Sequence, residues 1–101
     1  MEGISSGLNS WKEFKRMAGR RKMGLVGRLQ SINHPEHFYV GCTSDLKARL
    51  ERHNAGDVTS TARWRPWKVN TAIAFRDPAR AREFERYLKT GSGRAFAKKR
   101  L

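Results

Sequence analysis

Four side chains in this sequence have types and spacing that could do chemistry: Tyr39, Arg49, His53 and Glu85. The first three fall within His37–Gly56, which reads as a short strand turning straight into a helix. At about 100° per residue, Leu46 and Leu50 mark the buried stripe of that helix, and Arg49 and His53 lie beside them on the same side. Taken singly, Arg49 reads as a side chain snorkelling past the core edge and His53 as a hydrogen-bonded core histidine. Two such residues one turn apart, beside a strand-end Tyr-Val-Gly, point to a site instead. A second helix, opened by Asp77-Pro78, turns Ala81, Phe84 and Leu88 inward and carries Glu85 in the same stripe, while Glu83 faces away. An inward carboxylate is expensive unless paired or bound to a cation, so Glu85 is either an ion-pair partner of Arg49 or a metal ligand.

The elements that must hold these residues follow from periodicity and punctuation. Leu25–Ile32 is expected as a first strand, joined through the turn-rich Asn33–Glu36 to a second in which Phe38 and Val40 alternate with Tyr39 and Gly41. Ser44 or Thr43 should cap the following helix, with Asp45 in its first turn and Asn54-Ala55-Gly56 as its stop. Asp57–Lys68 is expected as a loop in which Trp67 anchors to the core while Arg63 and Arg65, interleaved with tryptophans, face phosphates. Val69, Thr71, Ile73 and Phe75 then alternate as a third strand. Thr90–Gly93 should break the helix that carries Glu85, as a C-cap and linker rather than a phosphate cradle. Arg94–Leu101 resumes as a short basic helix docked by Phe96 and Leu101. The result is a small α/β fold, a three-stranded, mainly antiparallel sheet flanked by helices.

Its 101 residues make one domain with a modest core. With 22 Lys+Arg against 9 Asp+Glu, formally +13, the partner should be a polyanion, nucleic acid before an anionic membrane. Residues 1–22 form a polar, then basic extension that a domain at 23–101 follows; Trp11–Met17 is expected to form a helical turn or two. The extension holds six basic and two acidic residues, so +9 of the +13 belongs to the domain. Cys42 is a lone cysteine, which fits a reducing compartment, and it reads as a small apolar side chain rather than a nucleophile. His34, His37 and Cys42 lack the paired spacing of a structural zinc site, and no apolar run approaches a membrane span. The expected setting is cytoplasmic, beside a bacterial-type nucleoid.

Tyr39-Val40-Gly41, Thr43, Asp45-Leu46, Arg49-Leu50, His53-Asn54 and Gly56 resemble the second half of the GIY-YIG nuclease signature. Arg65-Pro66-Trp67, Glu85-x-x-Leu88-Lys89 and Gly91-Ser-Gly-Arg-Ala-Phe-Ala97 resemble its small single-domain members, relatives of the N-terminal incision domain of the excision-repair enzyme. The resemblance implies hydrolysis of phosphodiester bonds in DNA with one divalent cation, usually magnesium, or manganese in its place. It assigns Glu85 to the metal, Arg49 to phosphate charge, and Tyr39 and His53 to orienting or deprotonating the water or protonating the leaving oxygen. It adds Lys89, Arg94 and Lys98 to Arg63 and Arg65 as DNA contacts, on a monomer whose substrate is branched or structured DNA, with RNA left open. One departure stands out. Ungapped alignment puts Gly27 where the family carries its first tyrosine, so a weak nuclease is expected, which a tyrosine at position 27 should quicken. The alternative is a binding module that kept DNA affinity and lost cleavage; an inward Glu85, for which binding alone has no chemical need, favours the enzyme. A ribosome- or RNA-associated protein would explain the charge but not the four residues.

Overall fold

The computed structural model describes residues 24–101; the expected turn at Trp11–Met17 and the division at residue 22 lie outside the described residues. The chain runs β1 (Gly24–Ser31), β2 (Phe38–Thr43), α1 (Leu46–Ala55), α2 (Thr59–Ala62), β3 (Trp67–Phe75), α3 (Pro78–Leu88) and α4 (Gly91–Arg100). The strands form one sheet in the order β2-β1-β3, antiparallel throughout. Among the described residues no helix is long and apolar enough to cross a membrane.

Strand alternation sends successive side chains to opposite faces of a sheet, and here each face has its own helices. A Cβ placed on Gly27 would meet Leu46 Cδ1 of α1 at 2.5 Å, whereas one on Gly24 would meet Ala81 of α3 at the same distance. Leu25, Gly27, Leu29 and Ser31 therefore face α1, while Val26 and Arg28 face α3 and α4. On the α1 face, Leu29, Leu46 and Trp67 are buried. On the other, Val26, Ala81, Leu88 and Ala97 form a core against which Val40, Cys42, Phe75 and Phe84 pack. Cys42 is thus a half-buried apolar filler, as expected. The register of β3 on β1 slips between Arg28 and Leu29, which leaves Asn70 as the extra residue of a bulge.

Three expectations are corrected. Neither Ser44 nor Thr43 caps α1: Asp45 immediately precedes Leu46, and its Oδ1 accepts from the Ala48 amide at 3.0 Å, while Thr43 Oγ1 accepts from the Asp45 amide at 3.0 Å. Within the expected loop, Thr59–Ala62 closes a single helical turn that has no apolar period to announce it. Finally, the expected break is there but shorter, Lys89-Thr90 alone: Thr90 caps α4, accepting from the Gly93 amide at 3.1 Å, so the helix starts at Gly91 rather than Arg94. Gly93 is there for contact, because a Cβ would collide with the Tyr87 carbonyl of α3. Ala97 and Leu101 dock α4; Phe96 lies edge-on to Phe84 and stays exposed.

Candidate functional site

Gly41 makes the room in which the first two residues meet. A Cβ there would sit 3.0 Å from Tyr39 Cε2, 3.2 Å from Arg49 Nη1 and 3.4 Å from Tyr39 Oη. The tyrosine ring and the guanidinium thus converge over the bare backbone of β2, on the α1 face. Arg49 Nη2 donates to the Cys42 carbonyl at 3.1 Å, which fixes the fork and leaves its other N–H groups for an anion. Among the described residues Arg49 has no carboxylate partner, so of the two alternatives for Glu85 the ion pair with Arg49 is not formed.

His53 stands behind Tyr39, with ring centroids 4.5 Å apart. It is fully buried. Its Nδ1 lies 2.8 Å from Thr61 Oγ1, and that hydroxyl lies 3.3 Å from the Val58 carbonyl. The Val58 carbonyl also accepts from the Thr61 amide at 3.1 Å, so the Thr61 hydroxyl is free to donate to His53 Nδ1 or to accept from it, and the tautomer of the ring follows that choice. Nε2, among the described residues, is buried without a partner. Burial, followed by the positive charges of Arg49 and Arg52, holds the imidazolium below its usual pKa, so the ring is a neutral base at neutral pH. An unpartnered buried ring nitrogen is uncommon in a purely structural histidine.

Glu85 is not part of this cluster. Its helix α3 packs on the opposite face of the sheet, chiefly on β1 and β2. The side chain is half-buried, 21% exposed, and accepts from Lys89 Nζ one turn on at 2.8 Å. No three His, Cys, Asp or Glu side chains among the described residues come together as a ready-made metal cage. One carboxylate still suits a hydrated cation of the magnesium type, which takes one or two protein oxygens and completes its shell with water and phosphate. For that, Lys89 must give up the carboxylate.

The remaining expected residues divide into two regions. Arg63 is exposed, its guanidinium 4.9 Å from the Trp64 ring centroid. Arg65 is tied down, with Nε donating to the Ala62 carbonyl at 2.8 Å and its guanidinium packed on Gly56, the left-handed end of α1 at φ 84°. Lys89, Arg94 and Lys98 instead border a cleft of about 850 Å³ on the α3/α4 face. Two lining residues escaped the sequence reading. Arg28 holds its guanidinium 3.6 Å from the centroid of the Phe38 ring, a diagonal cross-strand pair on one sheet face. The signal was available in the alternation of β1, where Arg28 falls in step with Val26.

A family model described as the GIY-YIG catalytic domain matches residues 28–100, well over half of the chain. No curated protein matches it.

Proposed function

The chain belongs to the GIY-YIG catalytic domain family, and on that premise we propose that it is a divalent-metal-dependent DNA endonuclease of low activity. The observation that carries the reading is the convergence of Tyr39 and Arg49 over Gly41, with the buried ring of His53, its Nε2 unpartnered, packed against Tyr39. Hydrolysis of a phosphodiester needs a deprotonated water, positive charge for the pentavalent transition state and a proton for the leaving oxygen. Arg49 supplies charge that cannot be titrated away, gripping two phosphate oxygens with the N–H groups not given to Cys42. Tyr39, less buried than His53, meets the water, and the neutral imidazole of His53 behind it takes up the proton. A cation held by Glu85 would act as Lewis acid on the phosphate. Because Arg49 and Glu85 sit on opposite faces of the sheet, a phosphate that touches both lies around the free edge of β2.

A second reading has its own support. Leu46 fills the space into which a side chain at position 27 would point, so the place of the family's first tyrosine is closed as well as empty. A binding module without cleavage fits that observation. Purified protein incubated with branched, nicked and duplex DNA, with and without magnesium, separates the two. Metal-dependent cutting that vanishes in Arg49→Ala supports the enzyme; binding without cutting on every substrate supports the module. Glu85→Gln should abolish metal-dependent cutting yet cost under about 1 kcal/mol in a denaturant melt, since its partner is a solvent-exposed lysine at i+4.

A further inference from the structure

The Arg28–Phe38 pair and the cleft above it have no part in the proposed cleavage chemistry. Phe38 is 38% exposed, unusual for a large apolar side chain in a sheet, and Arg28 lies flat enough to sit 3.6 Å from its ring centroid. Arg28 Nη1 also donates to Asn70 Oδ1 at 3.2 Å, so the bulge residue of β3 holds the guanidinium from the other side. Together they make a rigid, planar, partly desolvated floor. Leu88 and Ala97 form an apolar wall, and Lys89, Arg94 and Lys98 form a cationic rim against a single acidic lining residue, Glu36. The cleft also reaches Tyr39, the next residue along β2, whose ring turns to the opposite face beside Arg49.

We propose that this cleft is a subsite for an unpaired DNA strand next to the cut, one base stacking on the Phe38–Arg28 floor while its phosphates lie on Arg94 and Lys98. The assignment rests on the endonuclease reading for its relation to the cut, but binding in the cleft stands without it. Aromatic and guanidinium planes stack on any base, and a polyanionic backbone complements the rim. A volume of about 850 Å³ takes a nucleotide or two, and a base within a duplex, already stacked on its neighbours, has no free face to offer the floor. Because adjacent strand residues face opposite ways, a strand whose phosphate is held near Tyr39 and Arg49 passes the edge of β2 and delivers its neighbouring base to Phe38. The substrate class is therefore DNA with a single-stranded arm, a flap or splayed fork, rather than continuous duplex.

The test uses the full chain and a short single-stranded DNA with one 2-aminopurine, whose fluorescence falls on stacking, beside the same DNA as duplex and the same sequence as RNA. Wild type should quench the probe and bind single strand more tightly than duplex. Phe38→Leu should lose the quenching and about 5- to 100-fold in single-strand affinity, with duplex affinity nearly unchanged. Phe38→Trp should keep both, which guards against a folding defect in the leucine variant. Replacing Arg94 and Lys98 together by Gln should reduce the salt slope for single strand by about 1.4. Equal losses on single strand and duplex, or undiminished quenching in Phe38→Leu, would overturn the subsite even where metal-dependent cleavage persists. Tighter binding of the RNA would overturn its assignment to DNA. Quenching that depends on Phe38 in a protein that cuts nothing would uphold the subsite and reject the endonuclease.

Discussion

His53 and Gly27 show how far single residues can be interpreted from their surroundings. The buried imidazole is held below its usual pKa by desolvation and by two arginines. In the unfolded chain it protonates near pH 6.5. Below that pH the unfolded state binds a proton that the folded state refuses, so stability is full above pH 6.5 and falls as pH drops toward the folded pKa. One proton gives a slope of at most about 1.4 kcal/mol per pH unit. Urea melts at a series of pH values should therefore show acid loss starting near 6.5 in wild type and a flatter profile in His53→Gln. Identical profiles would mean that the ring titrates normally. At Gly27 the expectation of a simple gain by Gly27→Tyr is revised, because Leu46 Cδ1 stands where the new side chain must go. Leu46 is itself buried. Alone, the tyrosine should destabilise by about 1–3 kcal/mol through overpacking. Combined with Leu46→Ala, it gains its room, and magnesium-dependent cleavage should rise above wild type; thermal melts and cleavage time courses on both variants check the pair of outcomes.

At the scale of elements, one tie between the site helix and the sheet is Asn54, which the sequence offered as part of a helix stop and of the signature. Asn54 accepts from the Trp67 amide at 2.6 Å and donates to the Trp67 carbonyl at 3.0 Å, clamping the end of α1 to the first residue of β3. Asn54→Ala leaves both backbone groups of Trp67 without these partners, in a residue that is itself buried. The expected loss is about 2–4 kcal/mol in a denaturant melt, and cleavage should fall with it because His53 precedes Asn54. Asn54→Asp keeps the acceptor and should lose less. The three strands, α1 and α3 were legible in the sequence because alternation and the 3.6-residue stripe mark one-sided burial. Trp67 was legible as an anchor, and its indole donates to the Thr61 carbonyl at 3.0 Å. What escaped were features set by contacts between distant segments. Gly93 looks like a helix breaker until the Tyr87 carbonyl is seen against it. Glu85 could be placed on an inward stripe, but a helical wheel does not reveal which sheet face the helix covers, so its separation from Arg49 was hidden. The meeting of Arg28 with Phe38 depends on the β1/β2 register, which the turn sequence alone did not fix.

For the whole molecule, charge and shape make one more claim. Lys89, Arg94 and Lys98 gather on the α3/α4 side, and Arg63 lies against Trp64, whose ring stacks at 3.7 Å on His37 of the same cleft, while Arg49 stands on the α1 face. Positive charge therefore stands on both faces of the sheet in a small body, with a Cα radius of gyration of 13.6 Å. A nucleic acid bound around the β2 edge would meet cations on both sides, and each neutralised phosphate releases counterions. Affinity for DNA should then fall steeply with salt, by about 10³–10⁵-fold between 50 and 200 mM if six to ten phosphates are contacted. Residues 1–22 carry six basic and two acidic groups, so a chain lacking them retains +9 of +13. Fluorescence anisotropy over a salt series should give this shorter chain a shallower but still clearly negative slope, with affinity weakened and not abolished. Affinity indifferent to salt in the full chain would remove nucleic acid as the partner. A slope that collapses on truncation would instead locate the contacts in the extension, leaving the domain's own arginines and lysines as solvated surface.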